Sequence, residues 1–282
     1  MGAPHREGAR SRRKVNLADP GTLKKFLASH GISASKGLGQ HFLCSGKVVE
    51  AISLRFDGFE GLLEIGPGPG VLTSALSVNV QRFIALELDP RMQAALRESA
   101  PSAEVRLVDA LQSDLAAILS ELPQPRGVVS NLPYYITGAL LTHIAEARSA
   151  WDKAVLMMQR EVAIRILAKA GSSERGSLSV YLQSQFEIEK VIDVPPGAFV
   201  PPPKVDSVVL EFRPKATEFP PSFFAFVRGG FRQPRKTLAN NLAAMGIANP
   251  QAELARANLD GKVRPHMLTL EEWIALAEPA DR

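Results

Sequence analysis

The chain has 282 residues, 45% of them hydrophobic and 22% charged, a formal net charge of +4 and a single cysteine. That length suits one large core with a smaller companion, while the absence of a long apolar run or a signal-peptide pattern argues against a membrane span and secretion, so a cytoplasmic protein is expected, with a monomer as the default. Cys44 standing alone excludes an internal disulfide and a cysteine-based metal cluster, and no metal site is expected.

From the N-terminus, residues 1–20 are expected to form a disordered extension, basic through Arg6, Arg10, Arg12, Arg13 and Lys14 against Glu7. Beyond it, short apolar runs at Leu62 to Ile65, Phe83 to Leu88, Val105 to Val108, Val128 to Val129 and Val155 to Met158 read as strands. Between them, apolar residues three and four apart predict helices over Leu72 to Val80, Met92 to Ser99, Leu111 to Leu122 and Ile136 to Ala147. This alternation is the α/β signature and predicts a doubly wound parallel sheet across residues 21–213. Phe186 to Val194 and Val208 to Phe212 read as two late strands, an antiparallel edge, with the turn Pro195 to Pro203 between them. After Pro214 the strand pattern stops, and residues 214–282 read as a small all-helical domain broken by Gly229, Gly230, Gly246 and Pro250. Between Arg213 and Arg264 nine basic residues face only three acidic ones. A mildly acidic body with a basic tail segment is a common build for proteins that bind polyanions.

The first strand runs into Glu64-Ile65-Gly66-Pro67-Gly68-Pro69-Gly70, a glycine-rich turn at the carboxyl end of a strand, where open sheets bind ligands. Gly66 and Gly68 let a nucleoside lie against the backbone. Glu87 closes the second strand, where a carboxylate accepts from both ribose hydroxyls, and Asp109 after the third strand is placed to accept from an adenine amino group. The dinucleotide fingerprint wants glycine or alanine where this chain has Val71, which leans against a nicotinamide cofactor.

The fourth strand ends in Asn131-Leu132-Pro133-Tyr134-Tyr135, which describes a pocket for a planar amine. Such an amine is a poor nucleophile because its lone pair is delocalised into the ring. Acceptors for its two protons orient it and favour the pyramidal form; the Asn131 side-chain oxygen and the Leu132 carbonyl suit that task. Pro133 stiffens the turn and Tyr134 offers a face for stacking on a base.

These runs, EIGPGPGVLT, ELD, VDA and NLPYYITG, together with KGLGQHFL from Lys36, MMQREVAIRI from Met157, AFVPPPKVDSVVL from Ala198 and FRQPRKTL from Phe231, resemble those of the bacterial small-subunit (16S) ribosomal RNA adenine dimethyltransferases. The resemblance covers nearly everything after residue 20. It implies a Rossmann-like class I methyltransferase domain using S-adenosylmethionine, joined to a helical RNA-binding domain. It further implies that His41 and Leu43 contact the cofactor, that Gln40 helps close the site, and that Phe199 faces Tyr134 across the target adenine, with Glu64 supporting the glycine loop. Arg232, Arg235 and Lys236, with Arg228, would meet phosphates. The substrate implied is two adjacent adenosines in a hairpin loop near the 3′ end of 16S RNA, within an immature small subunit. One departure is Pro234, where the family commonly carries a further basic residue, and slightly weaker RNA contact is expected there.

Three other readings compete. A large-subunit methyltransferase of the macrolide-resistance type would share the chemistry, but Leu132, Tyr134 and FRQPRKTL favour the small subunit. A non-catalytic ribosome-assembly factor is opposed by intact Gly66, Glu87, Asp109 and Asn131, and a nicotinamide oxidoreductase by Val71.

Overall fold

The computed structural model describes residues 16–35 and 37–278. The basic arm of residues 1–15, Lys36 and the last four residues lie outside them. Residues 16–20, expected from the sequence to be disordered, belong to the described structure. Leu17 is buried, the Asn16 side chain accepts from the Ala18 amide, and Asp19 accepts from the Thr22 amide as N-cap of the first helix.

In chain order the elements are α1 (Pro20–Ser29), β1 (Phe42–Leu43), α2 (Gly46–Ser53), β2 (Gly61–Ile65), α3 (Val71–Leu76), β3 (Arg82–Glu87), α4 (Met92–Ser99) and β4 (Glu104–Leu107). They continue with α5 (Leu115–Ser120), β5 (Arg126–Asn131), α6 (Thr137–Glu146), β6 (Lys153–Gln159), α7 (Arg160–Leu167) and α8 (Ser177–Gln185). Then come β7 (Phe186–Val194), β8 (Phe199–Val200), β9 (Ser207–Pro214), α9 (Pro221–Gly230), α10 (Leu238–Ala244), α11 (Pro250–Arg256) and α12 (Leu270–Ala277). The main sheet has the order β4-β3-β2-β5-β6-β9-β7. The first five strands are parallel, and β9 pairs antiparallel with both β6 and β7. The order reverses on either side of β2, so the loops after β2 and β5 open the crevice where such sheets bind ligands.

Side-chain alternation along the strands feeds two cores. Leu62, Phe83, Val129, Val155 and Met157 pack on one face beneath α1 to α4. Their neighbours Leu63, Ile84, Val128, Leu156 and Met158 pack on the other beneath α5 to α8. All five residues of β2 are buried, as a central strand covered on both faces requires. A third core gathers Phe223, Val227, Leu238, Leu242, Leu254 and Trp273 from the C-terminal helices, and Val180 of α8 enters it, joining the helical part to the sheet part.

Three differences from the sequence reading have local causes. The run Leu111 to Leu122 divides into a 3-10 turn (Ala110–Gln112) and α5, because Asp114 accepts from the Ala117 amide and starts a new helix. The helix expected to reach Val80 stops at Leu76; Val78 falls on the solvent side and is 48% exposed. Within the expected turn 195–203 lies β8, which pairs antiparallel with β1 as a second, two-stranded sheet.

Candidate active site

At the carboxyl ends of β2, β3 and β5 the loops enclose a cleft, the place where open parallel sheets bind their ligands. Its lining brings together Gln40, His41, Leu43, Gly66, Gly68, Glu87, Asp109, Asn131, Leu132, Pro133 and Tyr134, and adds Glu64 and Tyr135.

The floor is the turn after β2. Gly66 has φ +70° and open space where a Cβ would stand, and Gly68 has φ +56° with its missing Cβ about 3.1 Å from the Phe42 ring. A side chain at either place would meet backbone strain, and at Gly68 a tight approach to the Phe42 ring as well. Glu87, 5% exposed, shapes this floor: one carboxylate oxygen accepts from the Gly68 amide at 2.9 Å and the other from the Asp89 amide at 2.8 Å. A carboxylate has about four acceptor sites, so capacity remains for ligand hydroxyls. Burial pushes the Glu87 carboxyl up against these bonds. Glu64, 2% exposed, takes a 2.6 Å hydrogen bond from the Thr73 hydroxyl, and burial without a cation raises its carboxyl to about 8. Asp109 accepts the Leu111 amide on Oδ1, and its Oδ2 has no protein partner among the described residues.

The wall comes from the segment ahead of α2. Gln40 Nε2 donates to Asp89 at 2.9 Å, and Gln40 Oε1 accepts from the Ser35 amide at 2.9 Å. Arg91 pairs with Asp89 at 2.6 Å and reaches the Ser33 carbonyl at 3.4 Å. The guanidinium holds the Asp89 carboxyl down at about 2. Together these contacts clasp Ser33, Ser35 and Gln40 to the turn after β3. Sequence reading singled out Gln40 but missed its partners Asp89 and Arg91.

At the mouth, Asn131 Nδ2 donates to the His41 carbonyl at 3.0 Å. A carbonyl only accepts, so this contact fixes the amide with Oδ1 as its remaining acceptor. The Leu132 amide donates to the Met157 carbonyl at 2.9 Å, whereas the Leu132 carbonyl accepts nothing among the described residues. Tyr134 sits beside this pair, its hydroxyl 2.8 Å from Ser207 Oγ and its ring stacked against His41 at 5.5 Å between centroids. His41 is pinned in turn through Nδ1 to the Pro201 carbonyl at 2.8 Å.

Phe199 departs from expectation. It is 2% exposed, belongs to the core beneath β1 and does not line the cleft. In β8 it pairs with Leu43 of β1, and its ring is packed into the same core cluster as Leu43, Val194 and Ala198. Pro201 and Ser207, further along the same segment, are the residues that reach the site.

On the helical part, Arg228 lies in the last turn of α9, and Arg232, Arg235 and Lys236 lie in the turn before α10. All four are exposed, and none pairs with a carboxylate among the described residues. Buried Asn241 shapes this turn: its Oδ1 accepts from the Gln233 amide at 2.8 Å, and its Nδ2 donates to the Gln233 and Thr237 carbonyls at 3.1 Å each. Pro234 is exposed at its tip.

A glycine-floored cleft at the switch point of a mostly parallel sheet, an acidic residue closing the second strand and an amine-binding corner at the end of β5 define a Rossmann-like class I methyltransferase. The model of the family described as ribosomal RNA adenine dimethylase matches residues 31–281, and the chain belongs to that family. Relatives named ribosomal RNA small subunit methyltransferase A include one from Lactiplantibacillus plantarum, 35% identical over 94% of this chain and 96% of the relative. Another, from Deinococcus radiodurans, is 39% identical over 86% and 84%. Among solved structures, a dimethyladenosine transferase from Plasmodium falciparum superposes with a TM-score of 0.68 at 25% identity, covering 84% of this chain and 96% of that one. The 23S rRNA methyltransferase ErmE gives 0.61 at 25% identity, covering 84% and 98%.

Proposed function

We propose that this chain dimethylates the N6 amines of two adjacent adenosines in a hairpin loop near the 3′ end of 16S ribosomal RNA, with S-adenosylmethionine as methyl donor. The observation that carries the reading is a pair of acceptors without a partner among the described residues, Asn131 Oδ1 and the Leu132 carbonyl, beside the Tyr134 ring and continuous with the glycine-floored cleft.

The cleft fits such a cofactor. The open space over Gly66 admits a nucleoside against the backbone, Glu87 offers acceptors for ribose hydroxyls, and Asp109 Oδ2 offers one for an adenine amine. Leu43, Gln40 and His41 cover it from the side of β1. S-adenosylmethionine supplies, when bound, an activated methyl on a good leaving group. The protein therefore needs neither a nucleophilic side chain nor a covalent step, and alignment carries most of the acceleration. Asn131 Oδ1 and the Leu132 carbonyl accept the two amine protons and hold the nitrogen lone pair out of conjugation, while Tyr134 stacks on the base and fixes its plane. For the second transfer one proton has been replaced by methyl, so one acceptor suffices to hold the amine.

In this reading residues 21–213 form the methyltransferase domain and 214–282 the RNA-binding domain, with Arg228, Arg232, Arg235 and Lys236 on backbone phosphates. The protein works in the cytoplasm as a monomer on an immature small subunit.

The test is methyl transfer from labelled S-adenosylmethionine to small subunits lacking adenine dimethylation, with large subunits in parallel. N6,N6-dimethyladenosine in small subunits alone supports the assignment. Label in large subunits favours the activity named for the 23S enzyme, and label in neither leaves a binding factor on a methyltransferase fold.

A further inference from the structure

We propose that Ser207 is a positioning residue for methyl transfer, holding the Tyr134 ring in the plane on which the target adenine stacks. The inference rests on the reading of Tyr134 as the stacking platform.

Ser207 opens β9 and has no solvent exposure. Its backbone lies between two partners, opposite Gln159 of β6 and Val194 of β7, so the hydroxyl has a fixed origin. Its only side-chain partner among the described residues is the Tyr134 hydroxyl, at 2.8 Å. Tyr134 belongs to the short 3-10 turn Tyr134–Ile136 after β5, a segment with few backbone bonds of its own. A phenol in such a turn has two soft side-chain torsions, and a hydrogen bond at the ring's far end removes most of that freedom. The second restraint comes from the same stretch of chain. The Pro201 carbonyl holds His41 through Nδ1, and the His41 ring lies 26° from the Tyr134 ring plane. The segment 199–207 therefore acts on the site through Tyr134, gripping hydroxyl and ring at once, rather than by offering Phe199 as a second aromatic face. That is also what the added antiparallel strand does for the site: it brings a rigid hydroxyl to the mouth of the parallel sheet.

Two substitutions remove the same bond from opposite ends. Ser207→Ala and Tyr134→Phe should each lower kcat/KM for small subunits by about tenfold, mainly in kcat, through a misaligned base. The share of monomethyladenosine in the product should rise in both. The double variant should be no slower than the slower single, since the bond can be lost only once. Cofactor affinity and melting temperature should stay within about twofold and a few degrees of the parent, and Ser207→Thr, which keeps the hydroxyl, should restore transfer. Single-variant losses that multiply in the double variant overturn the proposal, as does full transfer by both singles. Tyr134→Ala separates the two layers of the argument: full transfer there sinks the stacking reading itself, whereas a severe loss with unimpaired Ser207→Ala sinks only the role of Ser207.

Discussion

The side chain of Asn131 hangs from the backbone of His41 by a 3.0 Å hydrogen bond, and that single contact decides which end of the amide faces the cleft. Residues ninety positions apart thereby set one acceptor. Asn131→Ala removes the acceptor. Asn131→Asp places a carboxylate oxygen against the His41 carbonyl, where acceptor faces acceptor. Both should lower kcat by about 10²-fold or more, the usual loss when a preorganised hydrogen-bonding group is removed from a reacting centre. RNA binding, measured by filter retention of small subunits, should change less than threefold. A parallel loss of RNA binding would mean that Asn131 serves the fold rather than the reaction.

The clasp formed by Gln40, Asp89 and Arg91 ties the wall of the cleft to the turn after β3. Arg91→Ala removes the cation that holds Asp89 low and the contact to the Ser33 carbonyl. Cofactor dissociation followed by stopped flow should accelerate about five- to twentyfold, with a smaller change in association, because contacts that cover a bound ligand act mostly on its escape. An unchanged off-rate would show that the wall stays closed without the clasp.

The sheet was legible because β2 to β6 are apolar runs separated by periodic helices, and the cofactor corner because glycines, Glu87 and Asp109 sit at strand ends. What escaped is of one kind. Strands β1 and β8 have two residues each, too few to show a period of two, so their pairing and the inward turn of Phe199 appear only in three dimensions. Asp89, Arg91, Ser207 and Asn241 act through partners between 2 and 73 residues away, by hydrogen bonds that leave no mark on composition or periodicity. Asp114, by contrast, carried a readable signal, a helix N-cap in the middle of an apolar run.

Glu64 gives a pH signature. Its folded carboxyl titrates near 8 because it is buried beside Thr73 with no cation, whereas in the unfolded chain it titrates near the ordinary 4.5. The native state therefore holds the extra proton between those values, and stability falls as pH rises from about 4.5 to 8, then levels. Glu64→Gln, neutral throughout, should lose this decline. Unfolding free energies of parent and variant from urea titration should coincide near pH 5 and separate in favour of the variant by pH 8.5, by up to about a few kcal/mol. Parallel curves across that window would show that Glu64 is ionised in the native protein.

The basic turn before α10 offers the last test. Asn241 makes three hydrogen bonds that shape the turn carrying Arg232, Arg235 and Lys236. Asn241→Ala removes these three hydrogen bonds, leaves the Gln233 amide without its partner and should cost about 1–3 kcal/mol of stability. Pro234 at the exposed tip donates no backbone hydrogen bond and carries no charge, so Pro234→Arg should add one cation beside the existing three without disturbing the turn. If those cations meet phosphates, the plot of log affinity against log salt should steepen by up to about 0.7–0.9, the increment for one further phosphate contact. Replacing Arg232, Arg235 and Lys236 together by alanine should flatten it by about two to three such increments. Identical slopes in all three proteins would move the RNA surface away from this turn, whatever their absolute affinities.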